Sequence, residues 1–238
     1  MSQPANQFPP THWSLIAAAR DGSERDAAAA LDALCRAYWQ PLYAFARRRG
    51  VLQDEAPDCV QEFLSDFIER GDLIRSSPER GRFRSFLMAA FQNFLVSRQR
   101  REMAQKRGGK VNFIALDDLA KEEQWQAAAA GTPAEQLFDR RWAEEIMART
   151  LRRVEGDYER AGSGEMFTAM RPALFGEKTE GLAFLAQRFG ITPGGVGAAV
   201  FRLRGKFRTV LRDEVSQTVA EPQEVDEEIQ YLLTLLAQ

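Results

Sequence analysis

LAFLAQRFGITPGGVGAAVFRLRGKFRTVLR, residues 182–212, reads as a helix, a sharp glycine turn and a second, basic helix. Ala186 stands four residues before Gly190, and Val196 follows six after it. In a helix-turn-helix the small Ala lets the second helix approach. The Gly takes the positive φ of the turn, and the Val packs between the helices. Thr192 offers a hydroxyl as N-cap, and Pro193 suits the first helical position, where its missing N–H would have no partner anyway. The second helix carries Arg202, Arg204, Lys206, Arg208 and Arg212, the charge expected of a helix entering the DNA major groove. It also carries Gly194, Gly195, Gly197 and Gly205. Interior glycine costs roughly 1 kcal/mol each against alanine, so this helix needs tertiary support or its target to be well ordered. The plainer reading of the segment is a packed helical hairpin with a solvated basic face.

Working outward, the 238 residues leave room for two small domains, and almost everything periodic in them is helical. Asp26–Arg49 repeats Leu31, Leu34, Cys35, Tyr38, Leu42 and Phe45 at helical spacing and stops at Gly50. Glu55–Arg70 places Cys59, Val60, Phe63, Leu64, Phe67 and Ile68 on one face. A loop from Ile74 to Arg82 leads into Phe83–Glu102, with Phe83, Phe86, Leu87, Ala90, Phe91, Phe94 and Leu95 as an apolar stripe. Gly108 to Pro133, with a Gly pair, a charged run and an Ala tract, reads as a linker. Helical pattern resumes through Phe138, Trp142, Ile146, Leu151, Val154 and Tyr158, and a further helix covers Met166–Phe175.

Pro222 opens a last helix with Glu224, Asp226, Glu227 and Glu228 near its positive end and Val225, Ile229, Leu232, Leu233 and Leu236 on one face. Such a stripe needs a covering surface, and docking on the second domain or the linker is the expectation. The fold expected is therefore all-α. An N-terminal segment (1–25) precedes a first helical domain (26–107), a linker (108–133), a helix-turn-helix domain (134–219) and a C-terminal helical extension (220–238).

The net charge of −2 conceals segregation. Arg75, Arg80, Arg82, Arg84, Arg98, Arg100, Arg101, Lys106, Arg107 and Lys110 face only Glu79 and Glu102 over their stretch, and the Arg202–Arg212 block is a second basic region. Two basic blocks in a mildly acidic chain point to two polyanion-facing surfaces. No run approaches the ~18 apolar residues of a membrane span. The polar start, Met1 to Pro10, has no signal-peptide pattern, so a cytoplasmic protein without membrane insertion is expected. Cys35 and Cys59 read as buried thiols rather than a disulfide framework. His12 is the only histidine and there is no phosphate-cradling glycine loop, so neither a His-based triad, a metal cluster nor any cofactor is expected.

The string Asp58-Cys59-Val60-Gln61-Glu62-Phe63 is followed, past the Ile74–Arg82 loop, by Phe83-Arg84-Ser85-Phe86-Leu87. The helix then runs through Asn93-Phe94-Leu95-Val96 into Arg98-Gln99-Arg100-Arg101. This order resembles region 2 of extracytoplasmic-function sigma factors, members of the sigma-70 family of bacterial RNA polymerase subunits, and the helix-turn-helix falls where that family keeps its region 4. The likeness covers roughly Asp26–Lys110 and Phe138–Val215. It implies a non-enzymatic specificity subunit whose partners are core RNA polymerase and promoter DNA, with an anti-sigma factor as a candidate third.

On this sequence it places Asp58, Gln61 and Glu62 against the polymerase. Arg80, Arg82, Phe83, Arg84 and Asn93 would meet the single-stranded −10 element, and Arg98, Arg100 and Arg101 the upstream duplex phosphates. Thr192, Arg202, Arg204, Lys206 and Arg208 would lie at the −35 element. Gly195-Val196-Gly197 departs from the family's polar-basic string there; since glycine has no side chain to read a base edge, weak direct readout is expected from that turn. The rival reading is a free-standing helix-turn-helix regulator, and a third is a sigma-like interaction protein that has lost promoter reading.

Overall fold

The computed structural model describes residues 23–69, 82–106, 133–177, 180–219 and 221–237. Its described residues are all-helical, with no strand among them: α1 Glu24–Arg48, α2 Ala56–Glu69, α3 Phe83–Lys106, α4 Ala134–Arg160, α5 Gly164–Met170, α6 Leu182–Phe189, α7 Pro193–Ser216 and α8 Glu224–Leu236. Helical reading of Met166–Phe175 breaks in two, because Pro172 cannot supply the next α-helical N–H and Arg171–Phe175 tightens into a 3-10 turn. Residues 1–22 of the N-terminal segment, the linker up to residue 132, and Arg75, Arg80, Arg107 and Lys110 lie outside the described residues. No described helix is long and apolar enough to cross a membrane.

The chain divides into two units, and the division differs from the expected one. Unit 1 holds residues 1–145 together with 216–238, and unit 2 holds 146–215. The boundary thus falls inside α4. Phe138 and Trp142, fully buried, belong to the first unit, while Val154, further along α4, belongs to the core of the second. The C-terminal helix α8 is part of unit 1, where Tyr231 donates to Asp139 of α4 at 2.8 Å, and docking on the linker lies outside the described residues.

Unit 1 is built around rings. Tyr38 and Phe45 of α1, Phe63 and Phe67 of α2, Phe83 and Phe91 of α3 and Phe138 of α4 are all buried. Phe63 and Phe91 lie 4.7 Å apart between ring centres, and Tyr38 and Phe83 5.5 Å. Phe45 meets both Phe91 (5.9 Å) and, edge-on, Phe138 (6.3 Å), so one side chain joins three helices. Offset and edge-on geometries are those the ring quadrupoles favour, adding about 0.5–1.5 kcal/mol per pair beyond area burial. Gly50, with φ 89°, ends α1, and the Val51 N–H returns to the Ala46 carbonyl at 3.0 Å. Cys59 is buried as expected, whereas Cys35 is only half-buried.

Unit 2 packs Val154, Phe167, Met170, Ala199, Leu203 and Val210 in one core, with Leu185, Ala186 and Val196 in a smaller one. The turn forms as the spacing predicts. Gly190 has φ 64°, the Ile191 N–H reaches the Ala186 carbonyl at 3.0 Å, and the Thr192 hydroxyl accepts the Gly195 N–H at 3.1 Å. Buried Glu214 of α7 takes Arg149 at 2.8 Å and Arg153 at 2.6 Å from α4, fixing the two long helices of this unit together.

The glycines of α7 carry a stability consequence. A Cβ at Gly197 or Gly205 would meet nothing within 4 Å, whereas one at Gly195 would meet the Thr192 hydroxyl at 3.3 Å. Gly197→Ala and Gly205→Ala are each predicted to stabilise unit 2 by about 0.5–1 kcal/mol, the backbone entropy that glycine gives up in a helix. Urea denaturation followed by circular dichroism checks this; a destabilised Gly197→Ala or Gly205→Ala protein would contradict the open space described.

Candidate nucleic-acid interface

The apolar face of α2 is spent on the core, so its polar residues must face outward. Asp58, Gln61 and Glu62 are exposed on that face, as the pattern requires. Glu62 is not isolated: Arg98 Nη1 of α3 donates to it at 3.4 Å and Arg101 lies 3.9 Å away. Arg98 also approaches Glu55 at 3.7 Å. The acidic face of α2 and the arginine cluster of α3 therefore form one continuous charged surface instead of two separate ones.

Beside it, α2 and α3 enclose a cleft of about 370 Å³. Phe63, Phe67, Phe86 and Phe94 supply rings, and Asp66, Asn93 and Arg101 supply polar groups. The rings are packed on one another, with Phe67–Phe86 at 5.9 Å and Phe63–Phe94 at 5.5 Å, so the apolar wall is preformed. A flat heteroaromatic group suits such a wall, with an amide at hand for its edge and a cation for an attached anion. Asn93 and Arg101 of its lining are exposed, as is Arg100, next to Arg101 in the chain.

Phe83 and Arg84 have other duties. Phe83 is fully buried between Tyr38 and Phe67. Arg84, also buried, donates from Nε to Glu228 of α8 at 2.8 Å and from Nη1 to Asp139 of α4 at 2.5 Å. Its guanidinium lies over the Tyr231 ring at 4.4 Å and the Trp142 ring at 5.1 Å. Glu228 is 1% exposed, which makes its pairing decisive, since an unpaired buried charge is costly. Arg82 completes the cluster, its Nε 2.5 Å from Glu228 and its guanidinium 5.5 Å from the Tyr231 ring centre. Burial alone would pull the Arg84 pKa down; the charge and hydrogen bond of Glu228, with Asp139, outweigh it and the net shift is upward. Burial, then the hydrogen bond donated at 2.8 Å to Asp139, pushes the Tyr231 phenol up.

In unit 2 the five expected −35 contacts separate. Thr192 has its hydroxyl in the cap, Arg204 donates to the Ala173 carbonyl at 2.7 Å, and Lys206 pairs with Asp157 at 2.7 Å. The hydrogen bond from Lys206 holds the Asp157 carboxyl below its ordinary pKa. Arg202 and Arg208 project to solvent. The aromatic cleft and the Glu228 cluster had no sequence signal of their own, because the phenylalanines of α3 read only as an apolar stripe.

No protein-family model, no curated protein and no solved structure matches the chain.

The Tyr231 shift has a definite sign. A phenol whose folded pKa is raised contributes stability that is complete below the ordinary tyrosine value of about 10 and is lost as pH rises through the raised value. Alkaline titration monitored by phenolate absorbance should show a Tyr231 component ionising above the ordinary tyrosine value. Loss of α8 helicity should accompany that step, and Tyr231→Phe should abolish the late component. A Tyr231→Phe protein whose titration above about pH 10 matches that of the wild type would contradict the Asp139 hydrogen bond.

Proposed function

We propose that this chain is a sigma factor, a dissociable specificity subunit that binds core RNA polymerase and directs it to promoters through two helical units. The observation that carries the reading is the pairing, on adjacent helices of unit 1, of an exposed acid-amide face with a ring-walled cleft edged by Asn93 and Arg101. Asp58, Gln61 and Glu62 dock on a basic surface of the polymerase. The cleft takes a base splayed from the melted −10 strand, stacking on rings and meeting Asn93 along its edge. Arg100 and Arg101 hold backbone phosphates, which are sequence-independent contacts.

Three expected DNA contacts take other roles. Arg84 is a positioning residue that fixes the start of α3, and Phe83 is a core residue beneath the cleft. Arg82, partly exposed beside Glu228, can meet a phosphate only by exchanging a carboxylate for it. Strand opening draws on binding energy for the displaced strand, with no nucleotide hydrolysis by this chain. The helix-turn-helix of unit 2 gives the second promoter contact.

Polymerase dependence tests the proposal. The purified chain should be retained by core RNA polymerase in a pull-down, and the reconstituted holoenzyme should initiate at discrete sites that core alone ignores. Glu62→Lys should weaken core binding about thirtyfold or more, in line with the 2–5 kcal/mol cost of an unpaired interfacial charge, without altering helicity. Nanomolar sequence-specific duplex binding by the chain alone, with no affinity for core polymerase, would overturn the proposal in favour of a free-standing regulator.

A further inference from the structure

The exposed face of α7 is unusual for a nucleic-acid helix. At 3.6 residues per turn, Gly194, Ala198, Phe201, Gly205, Arg208 and Arg212 fall on one line, each three or four residues from the next. All six are exposed, while Val196, Ala199, Leu203 and Val210 are buried on the opposite side. Phe201 is 78% exposed, the most exposed large apolar side chain among the described residues. The charged end of the line is its C-terminal half. Along the first two turns no exposed side chain carries a hydrogen-bonding group except Thr192, whose hydroxyl is taken by the Gly195 N–H.

A recognition helix presents its N-terminal part to base edges. Polar readout of guanine, adenine or cytosine needs donors or acceptors, and here that part of the helix has none to offer. The major groove displays one apolar group, the C5 methyl of thymine, and alanine and phenylalanine are among the side chains that contact it. Glycines at positions with open space beside them let the backbone come close to the groove floor, at the helix-stability cost noted above. Arg202, flanking Phe201, and Arg208 and Arg212 further on are placed for the phosphates on either side.

We infer that α7 reads thymine methyl groups, with Phe201 as the specificity-determining side chain and Ala198 as its neighbour on the groove floor. The upstream element is then a short thymine-containing duplex recognised by apolar contact, with arginines supplying affinity. This rests on the promoter-binding reading above and adds the chemical class of base that unit 2 selects.

The test uses holoenzyme and an upstream duplex selected by it from a random pool. Replacing each thymine of that duplex by deoxyuridine removes only the methyl. Wild-type holoenzyme should lose about fourfold in affinity per contacted methyl, the usual worth of one buried carbon. Phe201→Ala should lower affinity for the thymine duplex and be indifferent to the replacement. Because Phe201 is exposed, its removal should leave the unfolding curve unchanged, which separates a lost contact from a lost fold. Selected duplexes without a shared thymine, or equal binding of thymine and deoxyuridine duplexes, would overturn the inference while leaving promoter binding intact. Holoenzyme that selects no duplex at all would overturn the promoter-binding reading itself, and this inference with it.

Discussion

A buried carboxylate must be paired, and in unit 1 the carboxylate of Glu228 is paired by Arg84 and Arg82. Much else depends on that constraint. Arg84 cannot be satisfied by one partner alone, so Asp139 comes in from α4 and the Trp142 and Tyr231 rings cover its faces. Residues 55 and 144 positions away in sequence are thereby held to one guanidinium. Removing one member of such a group leaves the others buried and charged, which costs about 3–5 kcal/mol where it has been measured. That is comparable with the whole stability of a small domain, so the cluster sets which arrangement of α3, α4 and α8 is tolerated.

The same cluster sorts the arginines by duty. Position along a basic segment does not decide which cation meets a ligand; the presence of an acidic partner does. Arg84 is committed inside unit 1, Arg204 to the carbonyl of Ala173, and Arg98 to the carboxylates of α2. Arg100 on α3, and Arg202 and Arg208 on α7, remain turned to solvent, and Arg101 is exposed with Glu62 3.9 Å away. A polyanion therefore meets fewer cations than the composition suggests, and apolar and amide groups must carry more of any sequence preference. The ring-walled cleft beside Asn93 and the Phe201 face of α7 are two places that offer such groups.

Local chemistry was legible in the sequence. The helix starts and stops at Gly50, Thr192 and Gly190 follow from capping rules that act within a few residues, and the apolar faces of α1, α2 and α3 follow from period alone. The exposed Asp58, Gln61 and Glu62 follow from the same period. What was not legible depends on long-range pairing. The apolar stripe of α8 announces that it is covered but not by what, so its placement in unit 1 could not be read. Phe138 and Trp142 look alike whether they join the first core or the second, so the unit boundary inside α4 was missed. Arg84 sits among arginines that resemble it; only the carboxylates of Glu228 and Asp139, far along the chain, make it an interior residue.

The measurement that bears most directly on this account is a double-mutant cycle between Arg84 and Glu228, read on the hydrogen-exchange protection of residues 224–236. Exchange reports the local opening of α8 whatever unit 2 does. With Arg84→Met and Glu228→Leu, each single substitution should collapse that protection. The double substitution should restore part of it, with a coupling on the order of 2 kcal/mol. Additivity within about 0.5 kcal/mol, or protection in this helix indifferent to both substitutions, would contradict the account.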